Sequence, residues 1–166
     1  MDETPDRIEK RVTLNAPIAR VWRAISDSKE FGSWFGMELD EPFVAGRTVT
    51  GRIKPTSVDA EVATSQEPYR GVAVQLDIER VEAMRLFSFR WRPGAVDPAI
   101  DYSREPTTLV TFALEQSGGA TLLTLTESGF HGLPLERRAK TFAGNDGGWT
   151  AQMTLIAKYL ATHAQG

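Results

Sequence analysis

Between Ile8 and Leu14 the chain alternates, with Ile8, Lys10, Val12 and Leu14 on one parity and Glu9, Arg11 and Thr13 on the other. Successive side chains of a strand point to opposite faces, so a period of two predicts a half-buried first strand. The period then changes. After Asn15-Ala16-Pro17, which reads as a cap and an early-turn proline, Ile18, Val21, Trp22 and Ile25 stand at i, i+3, i+4 and i+7, the apolar stripe of a short helix. Asp27 and Glu30 have capping-box spacing and lead into Phe31, Trp34 and Phe35 before Gly36, which predicts a second short helix with a glycine stop.

Past a linker containing Pro42 and Gly46, alternation returns five times. Val49, Gly51 and Ile53 mark strand two, and Val72, Val74, Leu76 and Ile78 mark strand three. Phe87, Phe89 and Trp91 mark strand four, Val110, Phe112 and Leu114 strand five, and Leu123 and Leu125 carry strand six to Glu127. Ser117-Gly118-Gly119 turns the last hairpin. Two connections show no period: Lys54 to Arg70, a short insertion, and Pro93 to Pro106, which holds three prolines. The second is near the length at which a loop is usually functional or mobile, and predicts a flap or a loose edge.

From Pro134 the spacing becomes helical again through Leu135, Ala139, Phe142, Trp149, Met153, Ile156 and Leu160, predicting one long helix. Its middle reads Gly144-Asn145-Asp146-Gly147-Gly148. Each glycine costs about 0.8–1.0 kcal/mol relative to alanine in a helix interior, so the three together cost roughly 2–3 kcal/mol that something must offset. Either they admit a ligand to the helix, or they let the helix press on the sheet or kink.

An antiparallel sheet of this extent needs one face covered, and only the last helix is long enough to cover it. The expected fold is α+β: a curved six-stranded antiparallel sheet wrapped around a long C-terminal helix. Two short helices after strand one close one end, and a space is left between sheet and helix. The 1–166 chain reads as one domain with an ordered core of about 7–162.

Composition narrows the chemistry. At 166 residues a core of several tens of side chains needs no staple, and the chain has no cysteine and two histidines, His131 and His163. Thiolate zinc sites, iron–sulfur clusters and thiol nucleophiles are excluded, a histidine-built metal site is not expected, and no cofactor is implied. Nineteen basic against 22 acidic residues give a net charge of −3 without a basic cluster, so no nucleic-acid partner is expected. The two short helices lack the basic recognition helix of a DNA reader. The acidic start and the absence of an 18-residue apolar run argue against membrane insertion and for a cytoplasmic protein.

Large aromatics at inward positions are the candidate lining: Trp34, Phe35, Phe89, Trp91, Phe112, Phe130, Phe142 and Trp149, with Met153 on the same helix. They form either a filled core or the walls of a ligand space. Glu127 shares the parity of Leu123 and Leu125, which aims a carboxylate inward where it needs a partner. It orients a ligand or acts as a base, or it pairs with an arginine or caps a turn. Asn145 shares the helix face of Trp149. His131, at the loop entering the long helix, is the other candidate for moving a proton. Arg90, Arg92 and Arg104 read as a solvated edge, as do Glu136, Arg137, Arg138 and Lys140 on the long helix. Strand edges and exposed aromatics near Trp34 and Phe35 would support a homodimer.

Four stretches together carry a resemblance: Leu14 to Ile25, Trp34-Phe35, Thr126-Glu127-Ser128-Gly129-Phe130, and Asn145-Asp146-Gly147-Gly148-Trp149. In that order the chain resembles the SRPBCC (START-like) superfamily over about residues 7 to 162. More narrowly, it resembles the branch related to the C-terminal domain of the activator of heat-shock protein 90 ATPase. The resemblance implies a helix-grip fold whose cavity between sheet and long helix holds a small apolar or amphipathic molecule. It implies no single activity, because the fold hosts carriers, receptors, cyclases and chaperone cofactors. Ligand binding is the first expectation, and a polyketide cyclase-like, dehydratase or hydrolase enzyme the alternative. A chaperone-cofactor role is less expected, since the eukaryotic activator has a separate N-terminal domain where this chain starts at its first strand.

Overall fold

The computed structural model describes residues 3–97 and 99–163. One antiparallel sheet contains β1 (Arg7–Leu14), β2 (Met37–Glu38), β3 (Thr48–Ile53), β4 (Ala73–Glu82), β5 (Leu86–Trp91), β6 (Thr108–Ser117) and β7 (Ala120–Ser128). Between them lie α1 (Ile18–Ser26), α2 (Ser28–Phe35) and α3 (Ala60–Gln66), and α4 (Leu135–Thr162) ends the chain. The strand order is β1-β7-β6-β5-β4-β3-β2, so the first strand closes onto the last. The helix-grip architecture is the expected one, with seven strands rather than six.

The additional strand is β2, whose two residues pair as Met37↔Ile53 and Glu38↔Arg52. Two residues are too few to show a period of two. Glycine makes room for β2: a Cβ on Gly32 would stand 2.1 Å from the Met37 carbonyl oxygen, and Gly36 ends α2 at φ 100°, a left-handed cap. The insertion after Lys54 contains α3, capped by Asp59, whose carboxylate accepts from the Glu61 and Val62 amides. Asp27 caps α2 in the same way, while Asn15 does not cap α1, whose N-cap is Pro17 with no side-chain bond.

The inward parity of the strands is kept, apart from a register shift between Ile78 and Arg80 in β4 and a buried Ser88 between Phe87 and Phe89 in β5. Ile8, Val49, Leu76, Phe89, Phe112, Leu123 and Leu125 are all buried. Phe31 is the hub of the aromatic core, its ring centroid 4.8–6.4 Å from those of Trp34, Phe35, Phe43, Phe87, Phe89 and Phe112. Trp34 is fully buried, its indole donating to the Ala24 carbonyl at 2.9 Å, and Phe35 is buried beside it. The exposed aromatic patch expected there is therefore absent, because α2 turns both rings into the core.

The buried stripe of α4 also begins later than the spacing predicts. Trp149, Met153, Ile156 and Leu160 are buried, but Leu135 is 63% exposed and Ala139 lies at the surface. The second half of α4 packs against the α1–α2 corner. There Glu30 accepts from Tyr159 at 2.7 Å and pairs with Arg20 and Arg23 at 2.8 and 2.9 Å. Burial pushes the Glu30 carboxyl up, but the Tyr159 hydroxyl and the two guanidinium groups outweigh it and hold the group below its ordinary value. Among the described residues no helix is long and apolar enough to cross a membrane, and no group of three or more His, Cys, Asp or Glu could hold a metal ion.

Candidate functional site

Glu127 points inward from β7 as its parity requires, and it is 0% exposed. Four donors converge on it. Oε1 accepts from Asn145 Nδ2 and Trp149 Nε1, both at 2.8 Å, and Oε2 accepts from Trp91 Nε1 at 2.8 Å and Thr108 Oγ1 at 2.5 Å. An indole N–H can only donate, and a carboxylate offers about four lone-pair sites, so the group is saturated as an acceptor. No arginine takes part, contrary to one expectation for its partner. The partners come from β5, β6 and α4, which makes Glu127 a clasp between sheet and helix.

Register explains the convergence. Trp91 faces Thr108 across β5 and β6, and Val110, two residues on, faces Glu127 across β6 and β7. The three polar groups therefore sit at one end of the sheet's inner face, under the middle of α4. That middle is where the glycines lie. A Cβ on Gly144, Gly147 or Gly148 would meet nothing within 4 Å, so close approach to the sheet is not their reason, and α4 runs through them unbroken. The Asn145–Glu127 bond and an ion pair from Lys10 to Asp146 at 2.9 Å anchor this weak stretch instead. Gly147→Ala adds a methyl in open space, so it is expected to stabilise the fold by about 0.5–1 kcal/mol, read as a higher urea midpoint at unchanged m-value.

Gly144 and Gly148 look onto a cleft of about 930 Å³. Its walls include Phe35 and Gly36 at the end of α2, Ile53, Val74, Trp91 and Asn145. At its rim stand Tyr69, Val96 and Ile100, three large apolar side chains that are 37–51% exposed. A smaller chamber of about 90 Å³ adjoins it, sharing Phe35, Trp91, Asn145 and Gly148 as walls and adding Trp149 and Gln152.

The 93–106 connection forms one side of the cleft and is fastened rather than loose. Arg137 forms an ion pair with Glu105 and donates to the Pro93 carbonyl at 3.1 Å and to Thr141 at 2.9 Å, with its guanidinium 5.4 Å from the Tyr102 ring centroid. Arg92 donates to the Ser103 and Glu105 carbonyls at 3.2 and 3.1 Å. Arg92 and Arg137 are thus straps, whereas Arg90 is exposed on Glu79 at 2.9 Å, as expected of an edge. Pro98 lies outside the described residues.

Of the sequence candidates, Phe35, Trp91, Asn145 and Trp149 border the cleft or its chamber, with Glu127 directly behind them. Trp34, Phe89 and Phe112 fill the core, and Met153 is buried on α4. Phe130 packs edge-to-face on Phe142 at 5.0 Å, away from these walls. His131 is exposed, its amide bonded to Asp6 and its ring to the Thr4 carbonyl, at the opposite edge of the loop that enters α4. Thr108, Gln152 and Gln66, which also borders the cleft, were not singled out by the sequence. Thr108 shares the inward parity of Val110 and Phe112, which was the available signal.

Among solved structures, DynU16, a protein of the dynemicin biosynthetic locus, superposes with a TM-score of 0.68 at 22% identity. The match covers 96% of this chain and 49% of that one, so the chain spans about half its length. Protein MLL2253 of Mesorhizobium loti matches with a TM-score of 0.69 at 19% identity, over 95% of this chain and 98% of that one. The Aha1 dimer of Colwellia psychrerythraea gives 0.66 at 14%, covering 96% and 98%. No curated protein matches the sequence significantly. These likenesses are of fold. The family is carried by the sequence itself, because the model of the Activator of Hsp90 ATPase homolog 1-like protein family matches residues 15–161, from the end of β1 through α4, and the chain belongs to that family.

Proposed function

We propose that the protein binds a small apolar or amphipathic molecule in the cleft between the sheet and the middle of α4. The observation that carries this reading is the helix itself. Gly144 and Gly148 leave space that nothing among the described residues fills, at a helix-propensity cost, and that space is part of a cleft of about 930 Å³. Ligand sites commonly occupy about 300–1,000 Å³ with mostly apolar walls. The exposed Tyr69, Val96 and Ile100 at the rim give an apolar entrance.

Binding is favoured over catalysis because the two proton-transfer candidates read from the sequence, Glu127 and His131, are poorly placed for it. Glu127 has both oxygens occupied, and His131 does not border the cleft. A cyclase, dehydratase or hydrolase using this cleft would need a different acid or base.

The test compares native and denatured masses of the purified protein and then screens lipids and aromatic compounds by thermal shift. A ligand at one hundred times its Kd stabilises the fold by about 2.7 kcal/mol, an easily read shift. A defined extra mass or a reproducible shift is expected. Gly148→Leu places a side chain in the cleft, and is expected to abolish that shift while the unliganded protein still folds. A clean mass with no shift across both compound classes would overturn the reading.

A further inference from the structure

We infer that the ligand carries a hydrogen-bond donor, an O–H or N–H, where it meets α4, and that this group seats on the amide oxygen of Asn145. This rests on the reading of the cleft as a ligand site and specifies what the helix side of that cleft selects.

Asn145 borders the cleft together with Gly144 and Gly148, which stand on the same side of α4 and carry no side chain to cover it. Its Nδ2 donates to Glu127 Oε1 at 2.8 Å, which fixes the orientation of the amide, since the reverse would set its oxygen against a carboxylate oxygen. Oδ1 is therefore turned away from Glu127. The residue is half-buried rather than enclosed, and Oδ1 stays accessible, accepting from none of the described residues. A ligand that covers this acceptor without bonding it strips its water and returns nothing, whereas a donor replaces the water.

The neighbouring groups of this wall lean the same way. The Trp91 indole is committed to Glu127, Gln66 donates to the Phe35 carbonyl and accepts from the Thr56 amide, and the Phe35, Ile53 and Val74 side chains are apolar. Behind Asn145 stands a carboxylate whose four partners are all neutral. By drawing on the Nδ2 proton it polarises the amide and strengthens Oδ1 as an acceptor, as hydrogen bonds in a chain do. A ketone, ether or carboxylate head would bring lone pairs against Oδ1 in a field already negative. A hydroxyl or N–H would extend the chain from ligand to Asn145 to Glu127. The two charged side chains that border the cleft, Arg92 and Asp101, have opposite signs and are tied to the same loop residue, Ser103, so together they select no charge.

The test uses three probes of one shape, 2-naphthol, 2-methoxynaphthalene and 2-naphthoate, each titrated into isotope-labelled protein. The backbone amide signals of Gly144 and Gly148 report occupancy of the cleft whatever the head group, and the side-chain amide of Asn145 reports the bond. The naphthol is expected to bind about tenfold more tightly than the ether or the carboxylate, and to be alone in moving the Asn145 Nδ2–H signals downfield. In Asn145→Ala the naphthol and ether affinities should converge while both probes still move the glycine signals. Equal affinities of naphthol and ether in the unaltered protein, or tightest binding by the naphthoate, would overturn the inference and leave the cleft reading standing. A preference for naphthol that persists in Asn145→Ala would overturn the role of that residue. If none of the probes moved a glycine signal, the cleft reading and this inference would fall together. Should Asn145→Ala not fold, the affinities and the Asn145 signals of the unaltered protein decide alone.

Discussion

Glu127→Ala is expected to lower stability by about 4 kcal/mol, a large part of the 5–15 kcal/mol that holds a typical domain together. The substitution removes one acceptor and strands four donors. All four lose their partner, the Thr108 hydroxyl and the Trp149 indole within the core and the Trp91 indole and the Asn145 amide in the half-buried wall of the cleft. Leaving a buried polar group unmade costs about 1–3 kcal/mol, and water entering the truncated site offsets part of the sum. Glu127→Gln separates shape from chemistry. Its amide nitrogen must face one pair of donors, and in either pair one partner, the Thr108 hydroxyl or the Asn145 amide, can turn to accept while the indole cannot. One indole is then left unpaired, so a loss of about 2 kcal/mol should accompany an upfield move of the Nε1–H resonance of either Trp91 or Trp149, but not of both. Urea unfolding of both variants gives the first quantity, and a proton–nitrogen spectrum gives the second. A glutamine variant as stable as the parent would show that the clasp carries little of the fold's stability.

Phe31→Ala is expected to cost a similar amount, about 4 kcal/mol, through packing alone. The ring is 0% exposed and lies within ring-pair distance of six other aromatic side chains, two of them from its own helix. Removing it leaves a cavity that rigid aromatic neighbours cannot close. Phe31→Leu keeps most of the volume and should cost about 1–1.5 kcal/mol. The alanine variant should also disturb the site, since Phe35 stacks on Phe31 at 4.8 Å and forms a wall of the cleft. Ligand-induced thermal shifts should therefore shrink in Phe31→Ala beyond what its lower stability explains. If unfolding midpoints of the two variants coincide, the ring is not the hub its contacts describe.

The elements with a sustained period were legible in the chain, and those without one were not. β1, β3 to β7, the two short helices and α4 all carried at least two apolar residues at strand or helix spacing. β2 has two residues and is held by its neighbours, so no local pattern could announce it. α3 is capped by Asp59, but it has no fully buried residue and so no stripe to read. Within the site, the parity of Leu123 and Leu125 placed Glu127 inward, and the candidates Trp91, Asn145 and Trp149 proved to be its partners. That they bind one carboxylate depends on the register across β5, β6 and β7 and on the rotation of α4, which are tertiary quantities. Arg137 shows the same limit, because an arginine at a surface-facing helix position becomes a strap only when a distant loop arrives beside it.

The order of strands sets a timetable for synthesis. β1 pairs along its whole length with β7, from Arg7↔Ser128 to Leu14↔Thr121, so during synthesis β1 has no partner on this edge until β7, more than a hundred residues later, has followed. Chains emerge at about 5–20 residues per second, so for several seconds at least β1 trails as an unpaired strand with its apolar side exposed. The meander from β3 to β6 can form meanwhile from neighbouring segments, but the sheet's far edge must wait for β7 and the Glu127 clasp for α4. Such contacts between distant segments slow folding because the intervening chain must be ordered first. The polar residues Glu9, Arg11 and Thr13 on the outer side of β1 are well suited to that interval, keeping the waiting strand soluble until β7 arrives.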